Sequence, residues 1–173
     1  MPTLNTYNLR AWIDDHRSLL KPPVGLLPVW PHGDHQFMVS VVGGPNQRKD
    51  YHINPTEEFF FQIEGGMTLK IIENGQRRDV AIGEGEVFLL PPNVPHSPQR
   101  PANTVGLLIE HQRPEGHDDH VRFYCESCDD VLFDEQVHMT DLSQLKPILD
   151  KFWADTKAQT CKKCGAVLAP PTQ

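Results

Sequence analysis

His52, Glu58 and His96 are the residues of this chain best suited to holding a reactive metal. His52 and Glu58 flank the turn signal Asn54-Pro55, and Glu58 opens Glu58-Phe59-Phe60-Phe61, the most apolar aromatic run of the sequence. A carboxylate in such a run is expected to be partly buried, which is costly unless it is paired or bound to a metal. His96 follows Pro91-Pro92-Asn93-Val94-Pro95, a rigid elbow after a buried strand. Two imidazoles and one carboxylate leave coordination positions open, and this is the donor set with which Fe(II) can take up a substrate and O₂ together. The chain has 9 histidines, so spacing alone leaves a second reading open. In that reading Glu58 pairs with an arginine and His96 is an ordinary loop residue.

A second set of donors lies in the last third of the chain. Cys125, Cys128, Cys161 and Cys164 are all the cysteines present, arranged as C-E-S-C and C-K-K-C-G. Four thiolates suit a tetrahedral Zn²⁺ or a single iron. With every ligand supplied by protein, no position stays open for a substrate, so the expected role is structural. The gap between the pairs exceeds the ~15–20 residues of a compact zinc motif, so this site must tie distant segments together. A thiol redox pair is the alternative. A disulfide scaffold would spread its cysteines, and clustering of this kind points to a reducing compartment.

The elements that position these residues are short. Asn8 can cap an amphipathic helix running to Leu20, which Lys21-Pro22-Pro23-Val24-Gly25 then stops. Strands are expected near Phe37–Val42, Glu58–Ile63, Met67–Glu73, Arg77–Ile82, Val87–Leu90 and Val105–Glu110. Gly65-Gly66 and Asn74-Gly75 supply the positive-φ positions that hairpins need. Arg113 to His120 is polar and reads as a connector. Two further strands are expected over Val121 to His138, and a helix over Asp141 to Asp155, with Pro147 starting or kinking it. Many short strands with no helices between them argue for a sandwich or barrel and against a parallel α/β fold.

Composition narrows the function classes. The 173 residues, 38% apolar, suffice for one domain with a real core plus an appendage. The 16 prolines imply many turns. A net charge of −7 lacks the field that draws proteins to nucleic acid or anionic lipid. Lys162 and Lys163 are too few for a phosphate-tracking surface, which weighs against a nucleic-acid-binding zinc ribbon. No stretch is long and apolar enough for a membrane span, and Met1 to Leu9 lacks a signal-peptide pattern. A cytoplasmic protein with no nucleic-acid or membrane partner is expected.

Longer motifs carry a resemblance. Gly43 to Gly65 and Gly85 to Arg100 are similar to the two motifs of the cupin superfamily: a His and a Glu with Gly seven residues later, then G-x₅-P-x₄-H. Asp50 stands where cupins often have another His, and Asn93 replaces a usual Gly. The segments K-P-P-V-G, V-V-G-G-P-N-x-R-x-D-Y-H, E-E-F-F, F-L-L-P-P-N-V-P-H-S-P-Q-R and I-E-x-Q-R-P resemble the 3-hydroxyanthranilate 3,4-dioxygenase family over most of residues 8–165. The cysteine pairs resemble its bacterial branch.

The resemblance implies a mainly β, cupin-type antiparallel barrel (jelly roll) with a few short helices. Residues 1–173 would form one cupin domain, with 121–173 a C-terminal extension carrying the cysteine site. It further implies a homodimer, ring opening of a small aromatic substrate by O₂, Fe(II) on His52, Glu58 and His96, and rubredoxin-like iron or zinc on the four cysteines. Arg48 and Arg100 each lie four residues from a proposed ligand and can clamp a substrate carboxylate. By the family match Glu110 faces the substrate's amine or hydroxyl and assists proton movement, with Arg48 beside it. Leu26 replaces the usual Asn after K-P-P-V-G, which leaves open a non-catalytic cupin that binds a small carboxylate.

Overall fold

The computed structural model describes residues 6–21, 25–30, 35–140 and 144–171. The amphipathic N-terminal segment is a helix, α1 (Leu9–His16), followed by a 3₁₀ turn over Arg17–Leu19. The Asn8 side chain caps it by accepting from Ala11 N at 3.1 Å. The prolines 22 and 23 expected to stop this segment lie outside the described residues.

Among the described residues eleven strands follow: β1 (Leu26–Pro28), β2 (Phe37–Gly43), β3 (Asp50–Ile53), β4 (Glu58–Glu64), β5 (Met67–Glu73), β6 (Gln76–Ile82), β7 (Val87–Leu90), β8 (His96–Gln99), β9 (Val105–His111), β10 (Asp119–Tyr124) and β11 (Val131–Val137). Beyond the strands, the described residues include two helices, α2 (Leu145–Ala154) and α3 (Thr156–Gln159). Pro147 sits in the first turn of α2, where its missing N–H costs nothing. Residues 141–143, expected to begin that helix, lie outside the described residues.

The strands form two sheets, β1-β2-β9-β4-β7 and β11-β10-β3-β8-β5-β6. Every pairing among the described residues is antiparallel. The β5–β6 hairpin turns on Asn74 and Gly75, both at positive φ (52° and 76°), as the tightest hairpin loops require. Asn93, in place of the usual Gly, also sits at φ 62°, a conformation that Asn tolerates better than most residues.

Three apolar clusters hold the layers together. Phe60 and Leu90 of one sheet meet Met67, Leu69, Ile71 and Ile82 of the other, which fastens sheet to sheet. Ile13 and Leu20 cover Val41 and Val105, so the N-terminal helix shields the outer face of the five-stranded sheet. Ile148 and Phe152 of α2 pack on Val121 and Phe123 of β10, with Phe123 and Phe152 stacked at 3.7 Å between ring centroids. No helix among the described residues is long and apolar enough to cross a membrane.

Candidate metal centre and substrate site

Two strands and the opposite sheet bring the first donor set together. His52 on β3 stands directly across from His96 on β8, so both side chains leave the same face of that sheet. The Pro-rich elbow before His96 therefore feeds a strand. Glu58 opens β4 in the other sheet and reaches across the interior. Its Oε1 lies 3.2 Å from His96 Nε2 and 3.6 Å from His52 Nδ1. One donor atom from each of the three falls within 4.8 Å of the others, and all three residues are buried.

The remaining nitrogen of each imidazole is committed. His96 Nδ1 donates to Val94 O at 3.0 Å, and His52 Nε2 donates to Asp119 Oδ2 at 2.5 Å. A neutral imidazole has one N–H and one lone pair, so these bonds turn both lone pairs toward Glu58. Outer acceptors of this kind are how metal-binding histidines are oriented. Asn54 Nδ2 adds a hydrogen bond to Glu58 Oε1 at 2.5 Å. Burial alone would raise the Glu58 carboxyl, but His96 and His52 outweigh it and hold it down near about 2. Burial holds His52 below the ordinary imidazole value despite Asp119, whereas Glu58 outweighs burial at His96 and raises it. The donor set, its charge and its outer hydrogen bonds fit a divalent metal.

Glu110 faces this cluster. It pairs with Glu58 across β4–β9, two carboxylates opposed on one buried face. Burial, then the Glu58 charge, lifts the Glu110 carboxyl to about 7 even though Arg113 Nη2 donates to its Oε1 at 3.0 Å. Arg48 is ion-paired with Asp50, and the negative charges of Asp50, Glu58 and Glu110 outweigh burial to raise it. Asp50, at the position where cupins often place another ligand, is thus engaged as the partner of Arg48. Gln99 pins the Arg48 backbone on both sides, accepting from its N–H at 3.2 Å and donating to its carbonyl at 3.0 Å.

Arg100 stands apart from this group. It lies four residues along the chain from His96, and its Nη1 donates to Gln62 Oε1 at 3.0 Å. Gln62 is the second inward position after Glu58 on β4 and sits opposite Gly106. A Cβ at Gly106 would come within 2.8 Å of Arg100 Nη1 and of Gln62 Oε1, so a larger residue there would have to displace the guanidinium or its partner. Arg100 is 3% exposed, its Nε has no partner, and burial alone pushes it down to about 10, with no carboxylate among the described residues to offset it. A cation buried without a counter-ion is costly. The hydrogen bond to Gln62 holds the Arg100 guanidinium against β4 and Gly106 of β9.

Residues 113–118 form the expected connector between β9 and β10, but it is not simply a solvated loop, and Asp119 and His120 already belong to β10. Asp119 is the first residue of β10 and fully buried, and Arg113 is buried beside it. Extending the period-2 pattern of Val121 and Phe123 back one step would have placed Asp119 on the inner face. Arg113 left no comparable signal. Leu26 lies opposite Val42 on the β1–β2 pair, half-buried.

The cysteines close a second cluster. Cys125 Sγ is 3.6 Å from Cys164 Sγ, and Cys128 Sγ is 3.6 Å from Cys161 Sγ. These are far longer than a disulfide's ~2.05 Å, and all four donors lie within 4.8 Å of one another. The two turns repeat one hydrogen-bond scheme. Asp129 N donates to Cys125 O and Cys125 N to Asp130 O; Gly165 N donates to Cys161 O and Cys161 N to Ala166 O. Arg77 braces the first turn, donating to Cys125 O at 3.0 Å and to Tyr51 Oη at 3.1 Å.

Two facing antiparallel sheets with a buried His–Glu–His set inside define a cupin-type protein with a candidate metal centre. The profile of 3-hydroxyanthranilic acid dioxygenase matches residues 1–153, and the chain belongs to that family of ring-cleaving dioxygenases. A relative from Shewanella woodyi is 48% identical over 167 residues, 95% of this chain and 87% of the relative. One from Lodderomyces elongisporus is 46% identical over 168 residues, 96% and 94% of the two chains. Both bear the name 3-hydroxyanthranilate 3,4-dioxygenase. Among solved structures, a cupin-2 domain protein of Shewanella frigidimarina aligns with TM-score 0.47 at 16% identity, over 63% of this chain and 94% of that one.

Proposed function

We propose that this enzyme is an Fe(II)-dependent dioxygenase that opens the ring of 3-hydroxyanthranilate with O₂. Both oxygen atoms enter the product, 2-amino-3-carboxymuconate semialdehyde, the precursor of quinolinate. The observation that carries this reading is the buried set of His52, Glu58 and His96, whose other hydrogen bonds point every free donor atom at one place. Bound there, Fe(II) supplies open positions for the substrate's adjacent amine and hydroxyl and for O₂, and lets ring electrons reach O₂ despite the spin barrier.

The chain's own groups do the rest. His52, His96 and Glu58 hold the metal as two neutral donors and one anion. Glu110, buried and opposite Glu58, faces the cluster where it can accept the substrate hydroxyl proton. Arg48 supplies positive charge beside Glu58 and Glu110 and steadies negative charge as it builds on the substrate. Arg100, buried with no counter-ion, is the natural partner for the substrate carboxylate, which a guanidinium grips through two hydrogen bonds. The four cysteines hold a structural Zn²⁺ or rubredoxin-like iron. The test is anaerobic loading with Fe(II), then O₂ uptake and the absorbance of the ring-opened product. O₂ consumed only when 3-hydroxyanthranilate is present supports the reading. Tight binding of the compound without O₂ uptake would instead mark a non-catalytic cupin.

A further inference from the structure

We propose that Asp119 and Arg113 are positioning residues that set the metal ligand His52 and the substrate-facing Glu110 as one unit. This inference rests on the reading of the His52–Glu58–His96 cluster as a metal centre.

The geometry is continuous and buried. Asp119 Oδ2 accepts from His52 Nε2 at 2.5 Å. Arg113 donates to both oxygens of the same carboxylate, Nε to Oδ1 at 2.6 Å and Nη2 to Oδ2 at 2.8 Å. The same Nη2 reaches Glu110 Oε1 at 3.0 Å, and Nη1 reaches His111 O at 2.8 Å. All three nitrogens of the guanidinium are thus in use, in a pattern that an ammonium cannot copy. The side chains of Arg113, Glu110 and Asp119 are exposed by 1%, 5% and 0%.

Stability does not account for this network. Buried ion pairs replaced by well-packed apolar residues are often neutral or more stable, and this interior has apolar clusters on hand. What the network does achieve is directional. An ionised carboxylate only accepts hydrogen bonds. It therefore keeps the proton of His52 on Nε2 and leaves the lone pair on Nδ1, the atom 3.6 Å from Glu58 Oε1. An imidazole with the proton on Nδ1 would have no lone pair to offer there. Arg113 fixes the carboxylate in turn and carries the same restraint to Glu110.

Two readouts that do not depend on turnover test this. Mn(II) suits nitrogen and oxygen donors and is a poor match for four thiolates, so its titration, followed by the EPR signal of the free ion, reports the triad. Asp119→Asn keeps the shape but can donate to Nε2 as well as accept from it. It is expected to weaken Mn(II) binding about 10- to 100-fold, the usual cost of losing an outer-shell partner. Arg113→Lys keeps the charge and loses the fork, and should fall between wild type and Asp119→Asn. In the metal-free protein, ring ¹⁵N shifts should show His52 protonated on Nε2 in wild type and a mixture of tautomers in Asp119→Asn. A purely structural role would lower the melting temperature of both variants and leave Mn(II) affinity and tautomer unchanged, which would overturn the proposal. If Asp119→Asn does not fold, Arg113→Lys with wild-type Mn(II) affinity overturns it alone. Should His96→Ala and wild type give the same Mn(II) isotherm, the metal-centre reading itself fails, and that outcome is separate from these.

Discussion

The two donor clusters are built on opposite plans. The His–Glu–His cluster draws its ligands from three strands in both sheets and surrounds them with ionisable groups: Glu110, Arg48, Asp50, Arg113 and Asp119. The cysteine cluster comes from two turns that repeat the same backbone hydrogen bonds, and its four sulfur atoms lie close enough together to hold one metal ion. One cluster has buried charge in excess of what its own ligands need; beside the other, among the described residues, the charged groups on the first turn are the partly exposed pairs Arg77–Asp129 and Lys49–Glu126. Excess buried charge is costly and is retained where chemistry uses it. A metal held by the four cysteines would fasten the tail beyond α2 to β10 and β11.

If this contrast holds, damage to the two clusters should separate. The largest effect is expected from His96→Ala. It should remove the triad metal and bring turnover to background while the cysteine metal stays, as metal analysis beside an activity assay will show. Full occupancy with wild-type turnover would end the assignment.

Next in size is Arg100→Ala. A charge-assisted hydrogen bond contributes roughly 1.5–3 kcal/mol, about 10- to 150-fold in kcat/KM, and the triad metal should remain. Arg100→Lys should not restore full activity. With 2-aminophenol, which chelates alike but has no carboxylate, wild type should be poor and the variant little worse. Equal losses on both compounds would make Arg100 a support of the fold.

Replacing Cys125 and Cys128 with Ser should cost one metal per chain and lower the melting temperature by roughly 5–10 °C, at about 2–4 °C per kcal/mol for a chain of this size. Turnover per triad-bound metal should be largely kept. Loss of all turnover in folded, triad-loaded protein would tie the cysteines to the chemistry.

A last effect, on stability alone, concerns Glu110→Gln in the metal-free protein. Unfolded Glu110 loses its proton near 4.5, and the folded state holds it to about 7. Between these values the folded form carries more protons, so stability falls as pH rises through the window and the deficit is complete above it. Gln cannot ionise. Its advantage over wild type should therefore be absent below pH 4.5, grow to roughly 3 kcal/mol at most by pH 7 and stay flat above. Urea denaturation across pH checks the sign; an advantage that shrinks with rising pH would refute it.

The fold was legible where the period-2 pattern was regular. Met67–Glu73 and Val87–Leu90 are strands over those same bounds, and Asn8 caps α1 as its position suggests. Short strands beside turn signals were harder to see. β3, which carries His52, begins at Asp50 and is bracketed by Asn46 and Asn54-Pro55, and β8 begins within a proline-rich run. The candidate ligands were legible because their types and motif spacing are distinctive. The groups that orient them were not. Asp119 and Arg113 lie in R-P-E-G-H-D-D-H, whose polarity reads as solvent-exposed, and only the closing of β9 and β10 around the site buries them. Gln62 and Gly106 escaped for the same reason: their partnership with Arg100 exists only across facing strands.

The central claim is that ring opening belongs to the open cluster and to it alone. Partial anaerobic loading yields preparations that differ in iron at each cluster, and spectroscopy distinguishes thiolate-bound iron from iron on histidine and carboxylate. Initial rates of product formation from 3-hydroxyanthranilate, plotted against each occupancy, should rise in proportion to iron on His52, Glu58 and His96 and be independent of the metal on the cysteines. Rates that follow the cysteine-bound iron, or persist with the triad empty, would contradict the account.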